Sequence, residues 1–299
     1  MWFKNLRVYR LLPGVNLTAE SVQSALEGFS LRPCGKLEPA TAGWTSPYGR
    51  EHESLVHAAA GCFLIRYGVQ EKVLPAAVTK DAMEERLAAA RARTGSPAGR
   101  QDKLRMRDEV LMDLLPRAFV KPRSIDAYLD SVKGWLIINT SSARQADEIA
   151  ALLRQSIGDL KLLAPDLVNR IRTRLTTWLE TGACPGELGL GDECDLQDES
   201  DQGATVKCRH QDLTSREVAQ HLKAGKRAMR IGLIWSGRLG FAFSDEFCLQ
   251  RIKYLEVMQD QLDDLNTEDE MAELDAQFAL MTGEFQSLLG QLSELFEWQ

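Results

Sequence analysis

The sequence lacks the features of secreted, membrane-spanning and disulfide-rich proteins. No apolar run in its 299 residues approaches the length that crosses a bilayer. The start, Trp2-Phe3-Lys4-Asn5, carries a charge too early for a secretory signal. The six cysteines include no C-x-x-C pair, so neither a disulfide framework nor a zinc site is expected. These absences predict a cytoplasmic protein with reduced thiols and no membrane partner.

The common motifs of catalysis are missing as well. The chain has no Walker A loop, no H-E-x-x-H and no G-x-S-x-G. His52 and His57 flank glutamates but have no cysteine at metal-ligand spacing, and they are interpreted as surface or turn residues. The sequence therefore predicts no catalytic residues, no metal site and no cofactor.

Basic residues are absent from the C-terminal segment. After Lys253 there are 12 acidic residues and no lysine or arginine, so residues 1–253 carry a net charge of +5 although the whole chain carries −7. A second segment, 187–201, has seven acidic residues and no base. Charge separated in this way creates local fields that select partners, so a basic surface can bind a polyanion despite the negative total.

Segments with alternating polarity separate amphipathic helices along the chain. Strands are predicted at 62–67 and 72–74, divided by Gly68, and at 117–120, 125–129 and 135–140. Residues 229–243 are predicted to form a hairpin. These patterns predict an α+β fold of antiparallel sheets with flanking helices. The division expected is an N-terminal region 1–115, a strand-strand-helix module 116–182 and a C-terminal region 183–299.

Capping residues mark several helix starts. Thr18 is a predicted N-cap, and Ser142 with Gln145 and Thr214 with Glu217 are predicted capping boxes. The C-terminal segment has another box at 267–270, followed by an apolar stripe that recurs by three and four: Met271, Leu274, Phe278, Met281, Phe285, Leu288, Leu292 and Leu295. The stripe is typical of a helix packed on its own domain or of a dimer helix. All charges of the segment are acidic, so two copies would repel each other, which favours the first interpretation.

Three basic clusters are the candidate phosphate-binding elements, and the third consists of Lys207, Arg209 and His210 and continues to Lys223, Lys226, Arg227 and Arg230. Seven bases and one acid lie between Arg86 and Arg107, on two predicted helices joined by the flexible segment 94–99. A second cluster surrounds Phe119, where alternation places Arg117, Phe119 and Lys121 on one strand face. A solvated helical hairpin and a core phenylalanine are the alternatives. Scattered bases serve phosphates and do not read base edges. The candidates are Arg86, Arg91, Arg93, Lys103, Arg105, Arg117, Lys121 and Arg123.

Several short strings together resemble the recombination-associated RdgC family. They occur in the order of the family and extend over nearly the whole chain. The strings are Trp2-Phe3-Lys4-Asn5-Leu6, Asp108-Glu109-Val110-Leu111, Leu114-Leu115-Pro116-Arg117-Ala118-Phe119, Gln211-Asp212-Leu213-Thr214-Ser215 and Leu280-Met281-Thr282-Gly283-Glu284.

The resemblance implies a bacterial nucleoid-associated protein that binds double-stranded DNA, and in some settings single strands, with little sequence preference. Two horseshoe-shaped subunits of such proteins close into a homodimeric ring around duplex DNA and restrain the RecA recombinase. The family's ring-closing contact falls here on Phe119, His210 and Gln211. A relative carries lysine where this chain has His210, and a neutral histidine supplies less charge. The alternative functions are a metal-dependent DNA-processing enzyme and a protein-interaction scaffold that uses the acidic helix.

Overall fold

The computed structural model describes residues 2–49, 52–198, 203–263 and 269–298. Within them the chain forms one large antiparallel sheet with helices packed on both faces. The predicted α+β class is therefore confirmed. No helix in these ranges is long and apolar enough to cross a membrane.

The twelve strands in the described residues range from two to twelve residues in length, and the fourth and fifth are the longest. The strands are β1 (Leu6–Leu11), β2 (Ala40–Thr45), β3 (Val56–Ala59), β4 (Cys62–Val73), β5 (Phe119–Asp130), β6 (Trp135–Ile138), β7 (Leu162–Leu163), β8 (Leu188–Asp198), β9 (Thr205–Arg209), β10 (Lys226–Trp235), β11 (Leu239–Ser244) and β12 (Cys248–Tyr254). The main order across the sheet is β2-β4-β5-β6-β1-β12-β11-β10-β8-β9, with β3 paired to β4 and β7 to β1.

The helices lie between the strands and at the C-terminus. They are α1 (Ala19–Glu27), α2 (Ala76–Thr94), α3 (Arg100–Leu114), α4 (Ala143–Ile157), α5 (Val168–Thr181), α6 (Arg216–Lys223), α7 (Glu256–Asp263) and α8 (Glu270–Leu295). A short 3-10 helix, Leu115–Arg117, follows α3. The 229–243 hairpin is confirmed as β10 and β11.

Two predicted strand breaks are wrong, because β4 and β5 each continue without interruption. Gly68 lies inside β4, where a Cβ atom would come within 2.7 Å of the Leu31 side chain. The glycine there permits close packing and does not make a turn. Pro122 lies inside β5, where the strand pairs with β4 alone. A strand paired on one side leaves some N–H groups without ladder partners, so proline fits there.

The predicted N-cap residue is confirmed at two helices, and at two others the N-cap lies at a different residue. Thr18 accepts a hydrogen bond from the Ser21 N–H, and Ser142 accepts one from the Gln145 N–H. The other half of the predicted box at Ser142 does not form, because the Gln145 side chain accepts a hydrogen bond from Thr140. Helix α6 starts one residue later than predicted: Ser215 is its N-cap, and no side chain caps it. Asp269 caps α8 through the Met271 N–H, and the predicted capping residue at 267 lies outside the described residues.

The sheet has a hydrophobic core on each face. One core packs α5, α6 and α8 against residues such as Leu64, Ile137 and Phe243. The other packs α1 and α4 against the opposite face of the first strands, including Ile65 and Ile138. Strands β8 and β10–β12 contribute no residue to this second core. Their face on that side of the sheet, the open face, carries polar residues. Strands from all three predicted regions join this sheet, and the predicted domain division stays a prediction.

Helix α8 packs on its own chain. Phe278, Met281, Phe285, Leu288 and Leu292 are all buried in the first core. From Phe278 to Leu292 the stripe predicted from the sequence is thus the buried face of the helix, and the interpretation as a helix docked on its own domain is confirmed. Its outer residue Met271 remains 47% exposed.

Replacing Phe285 by alanine should lower the free energy of unfolding by about 3–5 kcal/mol, because a fully buried ring is lost and a cavity remains. Urea denaturation followed by circular dichroism measures this loss. The matched variant Met271→Ala lies on the exposed part of the same helix and should change stability by no more than about 0.5 kcal/mol. Similar losses in both variants would contradict the packing of α8.

Candidate nucleic-acid interface

Helices α2 and α3 form a hairpin that connects the end of β4 to the start of β5. Gly95 ends α2 with a left-handed φ of 68°, and Gly99 precedes α3. Ala90 and Val110 are the residues of the two helices that are fully buried. Nearly every other side chain of the hairpin, basic ones included, is therefore at least partly exposed.

Two of the predicted phosphate-binding bases are already paired with carboxylates: Arg86 bridges α2 to α3, and Arg105 pairs within α3. The Arg86 guanidinium donates to Glu109 Oε2 at 3.0 Å and also pairs with Asp113. Arg105 pairs with Asp102 at 3.3 Å and reaches Glu109 at 4.0 Å. These carboxylates compete with any phosphate, so Arg86 and Arg105 are weaker candidates than the sequence indicated.

Three other predicted bases of the hairpin point into solvent. Arg91 and Arg93 lie in the last turn of α2, and Lys103 lies in the first turns of α3. All three are exposed, and the described residues show no ion pair for them. Cations near the C-terminus of α2 also stabilise the helix dipole.

In the second basic cluster the predicted strand position of Arg117 is wrong. Arg117 lies in the 3-10 helix, so it does not share a strand face with Phe119. Phe119 begins β5 opposite Val73, and Lys121 and Arg123 follow it on the exposed part of the strand. Phe119 is 86% exposed, which excludes a core phenylalanine. The interpretation of this ring as part of a contact surface stays a prediction.

His210 and Gln211 lie directly after β9, at the far edge of the sheet. His210 adopts a left-handed φ of 52°, and its Nδ1 lies 3.1 Å from Asp192 Oδ2. The Gln211 N–H donates to the Asp192 carbonyl at 3.0 Å, and its side-chain amide donates to Ser215 Oγ and Glu217 Oε2. The loop is thus held in place while the His210 side chain stays 90% exposed.

Phe119 and His210 belong to strands near opposite ends of the sheet. The sheet order puts seven strand-to-strand steps between β5 and β9, which is roughly 34 Å at about 4.8 Å per step. The two sites are therefore well separated within one chain.

The open face of the C-terminal strands carries Arg209 and Arg230, which belong to the third predicted basic cluster, and Arg251, which the sequence analysis did not identify. Arg209 pairs with Glu193 at 3.2 Å and with Asp195 at 2.8 Å. Arg230 also pairs with Asp195, at 2.7 Å, and Arg251 pairs with Glu193. Arg251 was missed because β12 was not predicted, and a period-two pattern in 248–254 is the signal that could have found it.

A cleft on this face adjoins His210. Its lining is mixed: it includes the apolar Leu190, Ile234 and Leu255, the bases Arg209, Arg251 and Lys253, and the acids Asp192 and Glu193. Ile234 is 40% exposed. The cleft can accept an apolar side chain beside charged groups.

The histidine predicted at a turn or surface, His57, is instead buried. Its Nδ1 lies 2.8 Å from the Tyr48 hydroxyl and its Nε2 lies 3.2 Å from Asp275. Burial lowers the pKa of His57 more than Asp275 raises it. The ring packs on Phe278 of α8, so its role is structural. Across the described ranges, no group of three or more His, Cys, Asp or Glu side chains could hold a metal ion.

Comparison with known proteins assigns the family. The sequence model of the family described as "Putative exonuclease, RdgC" matches residues 1–299. A recombination-associated protein RdgC from Pseudoalteromonas atlantica is 36% identical over 299 residues, 100% of this chain and 99% of the relative. The RdgC of Halorhodospira halophila is 38% identical over 296 residues, 99% and 98% of the two chains. That of Yersinia pestis is 35% identical over 294 residues, 98% and 97%.

The chain belongs to the recombination-associated RdgC family. The resemblance of its short strings is confirmed over the full length. In this RdgC-family protein Phe119 is exposed towards one end of the sheet and His210 at the other, where the neighbouring Gln211 is half-buried.

Replacing Phe119 by alanine should change the free energy of unfolding of the single chain by no more than about 0.5 kcal/mol, since the ring is in water. Thermal and urea denaturation at low protein concentration measure it. A loss of about 3–5 kcal/mol, as for a buried phenylalanine, would contradict the exposed position.

Proposed function

We propose that this RdgC-family protein is a DNA-binding protein without sequence preference that encircles duplex DNA as a homodimeric ring. In this proposal the subunit is horseshoe-shaped, the ring is associated with the nucleoid, and it modulates RecA-dependent homologous recombination. The observation that carries the proposal is the 86% exposure of Phe119 at the opposite end of the sheet from His210 and Gln211. Two sites so far apart in one chain can meet when two chains close on each other.

The closing contact of the ring is proposed to consist of Phe119, His210 and Gln211. The cleft beside His210 suits the phenyl ring of a second copy, since it offers Ile234 and Leu255 as apolar lining. Burying an aromatic side chain in a pocket with a polar rim is how a few residues supply most of the energy of an interface. Gln211 is held by Ser215 and Glu217, so the contact would be formed by a fixed loop.

Phosphates are proposed to bind at the exposed bases Arg91, Arg93, Lys103, Lys121 and Arg123. Acidic residues are concentrated elsewhere, in 187–201 and after Lys253, so the field is positive on some surfaces despite the total of −7. A ring that holds DNA topologically needs only modest local affinity, and phosphate contacts without base contacts give binding that ignores sequence.

Salt dependence tests the phosphate contacts. For about six neutralised phosphates the plot of log K against log salt should have a slope of roughly −5, so fourfold more salt weakens binding by about three decades. Fluorescence anisotropy with a labelled duplex and its scrambled sequence measures both slope and preference. A shallow slope with a strong preference for one sequence would contradict the proposal.

The hairpin bases should account for part of that slope. Changing Arg91, Arg93 and Lys103 together to alanine should weaken binding and flatten the slope by about one unit for each phosphate that is no longer neutralised. The control removes the same charge by changing Arg144, Arg154 and Lys161 to alanine, three exposed bases on α4 and after it. If both triple variants bind alike, the hairpin is a solvated surface.

The second candidate function is a metal-dependent nuclease, favoured by the word exonuclease in the description of the matching family. We propose that the protein has no such activity. Linear duplex with labelled ends, incubated with protein and Mg²⁺ or Mn²⁺, distinguishes the two. Intact ends are expected, and release of labelled nucleotides that disappears with a chelator would establish the enzyme.

A further inference from the structure

Two cysteines face each other on neighbouring strands at the edge of the sheet. Cys194 on β8 is directly opposite Cys208 on β9 in the antiparallel register. Directly opposite residues of a ladder point to the same face of the sheet, so the two thiols are neighbours. Cys194 is 1% exposed and Cys208 is 8% exposed. The pair lies on the packed face of the sheet, in the core that includes Leu213 and Val218.

The geometry of the pair suits a disulfide. Residues directly opposite in an antiparallel ladder have Cα atoms about 4.5–5.5 Å apart, and disulfides connect Cα atoms about 4.4–6.8 Å apart. The bond can therefore form without moving either strand to a new register. The next pair along, Glu193 and Arg209, forms an ion pair on the opposite face of the sheet.

The other four cysteines have no such neighbour. Cys62 is opposite Asp130 on β5, and Cys248 is opposite Arg7 on β1 and Ser244 on β11. Cys34 and Cys184 are half-buried outside the strands. Only one pair of thiols is thus positioned by the sheet for mutual oxidation.

We propose that Cys194 and Cys208 are a redox-modification site: they form a disulfide when the protein meets a low-molecular-weight disulfide such as oxidised glutathione. The bond would join the edge strand β9 to β8 just before His210 and Gln211. In the reduced state the same thiols are ordinary core residues, as expected where glutathione is kept reduced.

The exchange balances in two steps. The thiolate of Cys208, the more exposed of the two, attacks one sulfur of oxidised glutathione, breaks its S–S bond and releases one glutathione thiol. The thiolate of Cys194 then attacks the sulfur of Cys208 in the mixed disulfide and displaces the second glutathione. Two protein S–H bonds are lost and one S–S bond forms, and the two protons and two electrons end on two molecules of reduced glutathione.

Access to the pair depends on opening of the edge. Burial raises the pKa of Cys194 to about 12, so the closed strand holds little thiolate. Strand β9 is bonded to β8 on one side only, and edge elements open locally more readily than central strands. Oxidation is therefore slow, and the disulfide, once formed, holds the edge closed.

The test uses the reduced full-length protein incubated with oxidised glutathione. We expect loss of two free thiols from this pair, a mass decrease of two hydrogen atoms and a tryptic fragment that links Cys194 to Cys208. Hydrogen exchange of residues 205–209 should become slower in the oxidised protein. The double variant Cys34→Ser, Cys184→Ser removes the half-buried thiols and should form the same bond.

The single variant Cys194→Ser should stop at one glutathione attached to Cys208, and Cys208→Ser should gain none at Cys194. The idea is overturned if Cys194 and Cys208 both remain alkylatable after denaturation, or if wild-type protein accumulates the mixed disulfide at Cys208 without resolving it. The thiol count, mass and linked fragment of the wild-type protein test the proposal even if a variant fails to fold. DNA binding by the reduced protein is a separate measurement, so either proposal can fail alone.

Discussion

The N-terminal strand β1 joins the two halves of the sheet, and the rest of the structure depends on that pairing. On one side β1 pairs with β6, including Val8 opposite Ile137. On the other side it pairs with β12, including Leu6 opposite Leu249. The first and last parts of the chain are thereby built into a single sheet. Helix α8 supports the junction from one face: Phe278 packs on Tyr128 at 5.7 Å between ring centroids.

This junction fixes the separation between the exposed ends of the sheet. Asp130 is fully buried where β5 ends, and it accepts hydrogen bonds from the Val132 and Lys133 N–H groups and from Gln286 of α8. Near the C-terminus of α8, Phe296 stacks on Phe243 at 5.5 Å. The strand that carries Phe119 and strand β11 of the C-terminal half of the sheet are thus tied to the same helix. A contact surface built on such a frame keeps its spacing, which a closed ring requires.

Sequence patterns correctly predicted the features that depend on residues close together in the chain. The N-caps Thr18 and Ser142 and the buried stripe of α8 follow from hydrogen bonds and periodicity within a few residues. Gly68 was misread because its neighbour, Leu31, is distant in sequence. The carboxylates that pair with Arg86 lie on the other helix of the hairpin. The sequence around Arg86 therefore does not predict these ion pairs. The exposure of Phe119 likewise depends on which strand lies beside β5, and the closing contact was inferred from the family resemblance.

The central claim, that the protein encircles duplex DNA, is tested most directly by retention on DNA without ends. Protein is loaded at low salt on a relaxed circular plasmid and on the same plasmid linearised, and the fraction still bound is measured by sedimentation after a step to high salt. The account predicts that the circle retains protein that the linear form loses, and that Phe119→Ala abolishes the difference. Equal loss from circular and linear DNA by the wild-type protein would contradict it.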